Sequence, residues 1–227
     1  MQSLDLLANN LANSATAGFK RDTEYYGLYS SDQSSGDTNL PVIEHQWTDF
    51  SQGTMEVTGN PMNVALSGNG FLVVNGPTGP LYTRNGNLQT LSNGTLATAD
   101  GYALQDATTG KTITVAASKA VEISADGTVS QDGQAVGKLK VVDFKNLQSL
   151  TKLGNACFQN TDATNTPVAD QTTEVQQGKI EGSNVPVAEA AMRLVGVMRQ
   201  FEMLQKAVGI SNEMDTKTIQ EVARVGS

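Results

Sequence analysis

The sequence predicts an α+β fold: an antiparallel β-rich central domain flanked by N- and C-terminal helices that pair as a coiled-coil-like stem. Three observations predict it. Apolar residues recur at spacings of three and four at both ends of the chain. From about residue 61 they alternate with polar ones instead. Between residues 68 and 133 glycine-bearing turn signals recur, most of them eight or nine residues apart.

The first element, residues 1–20, reads as a helix. Leu4, Leu7 and Leu11 form one apolar stripe, and Ala8 and Ala12 are good helix formers. Asn9, Asn10 and Asn13 are poor ones. They mark either a fraying end or amides that bond to a neighbouring helix. Gly18 is expected to stop the helix in the left-handed region, with Phe19 packing back on the last turn. Residues 21–60 read as a linker and connecting segment, and the aperiodic polar run SSDQSSGDTN at 30–39 reads as a loop.

Residues 61–183 form the β-rich domain with a return segment. Met62, Val64 and Leu66 alternate with Asn63, Ala65 and Ser67. Turn signals follow at Gly68-Asn-Gly70, Pro77-Thr-Gly79, Asn85-Gly86, Asn93-Gly94, Asp100-Gly101, Thr109-Gly110, Asp126-Gly127 and Asp132-Gly133. FLVV at 71–74 and KLKVVDF at 138–144 are strand candidates between them.

Residues 184–227 return to helix. Val187, Ala190, Leu194, Val197, Phe201, Leu204 and Val208 form a heptad-like seam, widened by Ala191 and Met198. Asn184, Pro186 and Glu189 suit its start. Gly196 and Gly209 cost helix propensity and leave room for another backbone. A helix from Val187 to Val225 would run about 58 Å. A small β domain and a shorter N-terminal helix cannot cover such a face, so apolar surface is expected to remain for other subunits.

Composition narrows the function. The chain has 227 residues, with 15 Lys plus Arg against 23 Asp plus Glu. A net charge of -8 disfavours nucleic acid or anionic lipid as a partner. The segment 23–186 carries all of that excess, so the two ends are neutral and free to meet copies of themselves. No apolar run reaches membrane-spanning length, and no basic-then-apolar leader marks a cleaved signal peptide. Enzyme chemistry is not signalled. His45 is the only histidine and Cys157 the only cysteine, which leaves no zinc set and no intramolecular disulfide. Gly110-Lys-Thr112 lacks the first glycine of a phosphate loop, because position 105 is Gln105. Asp126 to Asp132 lacks the spacing of a calcium loop. No cofactor or metal is expected. The alternative outside an assembly role is a β-rich ligand-binding module with a helical oligomerisation tail. A carbohydrate site would need exposed aromatics, and the only tryptophan, Trp47, precedes the β region.

Four segments, taken in order, resemble the flagellar rod and hook protein family: LDLLANNLANSATAGFKRD at 4–22, FSQGTMEVTGNPMNVALSGNGFLVV at 50–74, YTRNGNL at 82–88 followed by DGYALQ, and QQGKIEGSNVPVAEAAMRLVGVMRQFEMLQKAV at 176–208. Within the family, GFKRD, IEGSNV and the modest length look most like the proximal rod type, with the distal rod type as the alternative. Members of the family usually carry two or three more helical turns ahead of the part matching Leu4, so the first helix is expected to be short. The resemblance implies export without a cleaved signal, unfolded, through the flagellar type III apparatus. It implies assembly in the periplasm, with copies of itself and other rod proteins, into a helical stack that transmits torque. Both terminal helices would line the interior of that tubular rod.

Overall fold

Tight turns set the architecture of the central body. The computed structural model describes residues 2–29, 40–116, 119–154 and 156–225. Every turn signal between 68 and 133 except Asn85-Gly86 places a glycine at positive φ, among them Gly94, Gly101 and Gly127. The strands between them are therefore short and antiparallel. The run 30–39 lies outside the described residues.

The chain forms two units, Met1–Ala12 with Pro186–Ser227, and Asn13–Val185. The first contains helix α1 (Gln2–Ala12) and helix α2 (Val187–Val225), which are in contact. α1 ends at Ala12, earlier than the expected 1–20. Asn13 to Gly18 forms successive turns instead, with the Thr16 N–H donating to the Asn13 carbonyl and the Thr16 hydroxyl to Asn13 Oδ1. Side chains that compete for the backbone end the helix here, before Gly18 is reached.

The second unit is the β body. β1 (Asp22–Tyr29) and β2 (Leu40–Thr48) pair as a ribbon, where the sequence suggested only a linker. β3 (Met55–Val57) and β4 (Val64–Ser67) follow. A large sheet then begins with β5 (Phe71–Gly76), β6 (Gly79–Thr83), β7 (Leu88–Thr90), β8 (Leu96–Thr98) and β9 (Ala103–Leu104). β10 (Glu122–Ile123), β11 (Thr128–Gln131) and β12 (Gln134–Lys138) form a three-stranded meander. β13 (Val141–Asp143), β14 (Leu150–Gly154), β15 (Cys157–Asn160) and β16 (Val168–Ala169) rejoin the large sheet, whose main path runs β14-β15-β6-β5-β9-β8-β7. Last, β17 (Glu174–Gln177) pairs with β4, and β18 (Lys179–Glu181) pairs with β3. The run KLKVVDF is thus divided: it ends the meander at Lys138 and enters the large sheet at Val141, where β13 pairs with β5.

Two apolar clusters fill the body. The larger takes Val64, Leu66, Leu72, Val74, Leu81, Leu96, Leu104 and Val129, with Cys157 among them. Burial pushes the Cys157 thiol up to about 11, so it behaves as a small apolar side chain. The smaller cluster is aromatic: Phe71, Phe158, Phe144 and Tyr82 meet edge to face, with Phe50 packed alongside. Val64, Ala65 and Leu66 are all buried, so β4 is covered on both faces where alternation suggested one.

Aspartate–threonine turns hold the loops. The hydroxyl of Thr109 caps Asp106, that of Thr128 caps Asp126 and that of Thr164 caps Asp162, at 2.7, 2.7 and 2.6 Å. These hydrogen bonds hold the three carboxyls below the usual aspartate range, Asp126 down to about 2. At Asp170 partial burial acts in the opposite direction, but hydrogen bonds from Thr173 and Thr172 outweigh it. Carboxyls depressed in the folded state stabilise it above the unfolded value near 3.8 and lose that contribution as the pH falls through the folded values. The melting temperature of the body should therefore hold from pH 7 to 5 and drop on acidification from about pH 4 toward 2. Thermal melts across that range check it, and a melting point unchanged between pH 5 and 2.5 would contradict it.

Candidate functional site: a charged clasp and an uncovered helix

Two features stand apart from ordinary core packing. The first lies inside the body, where Lys20 and Glu181 have side chains with no exposure at all and Arg84 is 3% exposed. Lys20 Nζ donates to Glu181 Oε1 at 2.6 Å and to the Ser51 carbonyl at 2.7 Å. Arg84 Nη1 donates to Glu181 Oε2 at 3.3 Å, and Nη2 donates to the Gly68 carbonyl at 2.7 Å. The Gly53 N–H completes the carboxylate's partners at 2.9 Å. The Arg84 guanidinium also lies over the Phe71 ring, 4.9 Å from its centre. Burial pushes Lys20 below the ordinary lysine value, Glu181 pulls it back up, and Arg84 adds a smaller downward push.

Backbone and amide bonds extend this clasp. Gly18 N–H donates to the Glu181 carbonyl at 2.8 Å, and Asn184 N–H to the Phe19 carbonyl at 3.3 Å. Asn184 Oδ1 accepts from the Arg21 N–H, and its amide donates to the Asp49 carbonyl. Arg21 Nη2 pairs with Asp49 Oδ2 at 2.9 Å. The segments 18–21, 49–53 and 181–184 are thereby stitched together, and they hold the GFKR of GFKRD and the EGSN of IEGSNV. Gly18 and Phe19, expected in the helical stem, are buried components of this clasp instead.

The second feature is the apolar seam of α2. Ala190 is buried, and Ala191, Leu194 and Val197 are half-buried. Every other described side chain of α2 is exposed. Val187 is 52% exposed, and farther along Phe201 is 45%, Leu204 65% and Val208 60% exposed. On α1, Leu7 and Asn10 are buried, Leu4 and Leu11 half-buried, and Asn9 exposed; Asn13, just beyond, is half-buried. At about 1.5 Å per residue α1 spans roughly 16 Å and α2 roughly 58 Å, so the shorter helix cannot cover the longer one. A Cβ at Gly196 or Gly209 would meet nothing within 4 Å.

Among the described residues no group of three His, Cys, Asp or Glu could hold a metal ion, and no helix is long and apolar enough to cross a membrane. His45 is exposed. A cleft of about 630 Å³ is lined in part by Asp126, Lys138 and Asp170, all three already engaged with neighbours.

Known proteins resemble this chain in sequence. Residues 65–131 match the flagellar hook protein FlgE/F/G D1 domain, and residues 176–221 match the flagellar basal body rod FlgEFG protein C-terminal domain. The flagellar basal-body rod protein FlgG of Buchnera aphidicola subsp. Schizaphis graminum is 31% identical over 96% of this chain and 93% of its own. The chain belongs to the flagellar basal-body rod protein family. FlgF of Caulobacter vibrioides is 29% identical over 99% of this chain and 93% of its own, and FlgG of Bacillus subtilis 27% over 93% and 90%. Family membership gives the chain a structural role in the flagellar basal body. In this rod-family chain the clasp residues Lys20, Gly53, Arg84 and Glu181 escaped periodicity-based reading, and Asn184, read as part of the helix start, instead bonds to Arg21, Asp49 and Ser51 ahead of α2. Each is an isolated polar or small residue, and its partners lie 97 to 161 residues away in sequence for the ion pairs.

Gly18 carries two constraints. Its φ is +67°, and a Cβ would stand 2.4 Å from both the Arg84 carbonyl carbon and the Asn85 nitrogen. Asparagine tolerates the φ but not the backbone contact. Gly18→Ala and Gly18→Asn should therefore both destabilise the body, by about 2 kcal/mol or more. Denaturant melts of the free chain measure this, and an asparagine variant of native stability would contradict it.

Proposed function

We propose that this chain is a subunit of the proximal rod, polymerising through its terminal helices and carrying torque by contact instead of performing catalysis. The single observation that carries the reading is the α2 seam, which continues through Phe201, Leu204 and Val208 with those side chains largely exposed. Fully burying a side chain of this size stabilises by about 1.5–3 kcal/mol. A seam of this length is a strong drive to associate, and α2 carries little net charge to oppose it. The heptad spacing suits a coiled-coil-like stem in which α1 and neighbouring copies cover α2. Gly196 and Gly209 leave room for the close approach of a neighbouring backbone. The proximal position rests on GFKRD, IEGSNV and the modest length.

In this reading the subunit leaves the cytoplasm unfolded through the flagellar export apparatus, without a cleaved signal. It then joins copies of itself and other rod proteins in the periplasm, through contacts that repeat head to tail. The acidic body faces solvent while the near-neutral helices meet.

Phe201→Asp tests the assembly surface. A carboxylate in a dry helix contact costs about 3 kcal/mol or more, whereas in the free chain position 201 is nearly half exposed. Rod assembly and motility should fail, while the body of the purified variant melts as the native protein does. A fully motile strain at normal export levels would overturn the reading.

A further inference from the structure

The clasp has an unusual charge arrangement: two cations, buried in one place, share a single carboxylate. Among the described residues neither Lys20 nor Arg84 forms an ion pair with any group except Glu181. Glu181 lies 161 residues from Lys20 and 97 from Arg84. It reaches them only when β17 and β18 have paired with β4 and β3, which sets Glu181 opposite Met55. Until then, burying Lys20 or Arg84 would put an unpaired charge, and beside it a second of the same sign, into a low-dielectric interior. Water is the better environment for both, so the parts of the body that cover them stay open.

The order of events follows from two costs. Closing a loop of this length is entropically unfavourable, and the ion pairs strengthen only after the surrounding core has excluded water. Within the larger core cluster Leu72, Val74, Leu81 and Leu104 come from β5, β6 and β9, which are close in sequence, whereas Val175 of β17 joins the same cluster from the far end of the body. We propose that the Lys20–Glu181–Arg84 cluster is a closure lock that forms last in folding, so that a chain whose residues 174–185 are not yet seated keeps an open, solvated body. Gly18 and Gly53 sharpen the lock, because each lets a clasp segment approach another backbone at a distance no side chain allows. A chain presented from one end alone, with the other end still elsewhere, does not complete its fold.

Folding and unfolding rates of the free full-length chain in urea test this independently of rod assembly. Two variants are compared with the native chain. Glu181→Gln removes the one carboxylate in direct contact with both cations and leaves only the weaker fields of Asp49 on Lys20 and of Asp143 and Asp170 on Arg84, and Lys20→Met leaves the Arg84–Glu181 pair intact as a milder perturbation. For a lock that forms after the folding barrier, Glu181→Gln raises the unfolding rate roughly a hundredfold or more while the refolding rate stays within about twofold. Lys20→Met shows the same partition with a smaller total, and it decides the matter if the first variant is too unstable to refold. If either variant places more than half of its lost stability in the refolding rate, the cluster forms early and the proposal is wrong. Native rates in both variants would overturn it as well.

Discussion

One buried carboxylate, held by two cations and a backbone N–H, ties together the first and last segments of the β body. The bonds of Asn184 to Arg21, Phe19 and Asp49 and the pairing of β18 with β3 join the same segments. Short strands and tight turns make the core, and polar contacts place residues 18–21 against 181–184. Glu181 does so by chemistry: its two oxygens accept from Lys20, Arg84 and Gly53, and its backbone carbonyl accepts from Gly18. A buried ion pair is poor as a source of net stability when compared with well-packed apolar groups. Breaking it is costly, because removing one partner leaves the others buried and poorly compensated.

The helical unit obeys the opposite logic. The seam of α2 is apolar, and its described side chains beyond Val197 are exposed. In the proposed assembly, a body closed by a polar cluster and a helix that associates would divide the work between them. The folded body would supply the unit, and the exposed apolar seam of α2 would supply the drive to join other subunits. Such a division suits a flagellar basal-body rod protein, because a rod needs many repeated contacts between subunits.

Much of this was readable in the sequence, for identifiable reasons. Val187–Val225 declared itself because a 3.6-residue period is a local property that tertiary packing rarely erases. The β body declared itself through turns whose glycines do sit at positive φ, as at Gly94, Gly101 and Gly127. The first helix was read too long, because Leu4, Leu7 and Leu11 suggested continuity while Asn13 and Thr16 were already forming turns. The ribbon at Asp22–Tyr29 and Leu40–Thr48 was missed because a polar run separates its strands. Gly18 was recognised as a left-handed position, yet its tighter constraint, the backbone of Arg84 and Asn85, is not written near it. The clasp was invisible for the same reason: Lys20, Arg84 and Glu181 look like surface charges until the fold removes them from water.

Hydrogen exchange read by mass spectrometry, on the free chain and on the assembled polymer, tests this division of roles most directly. In the free chain, amides of 64–74 should exchange slowly and those of 200–214 quickly, since the latter segment has little tertiary cover. On assembly, 200–214 should become strongly protected while 64–74 changes little. If 200–214 exchanges as fast in the polymer as in the free chain, the uncovered seam of α2 is not what joins the subunits.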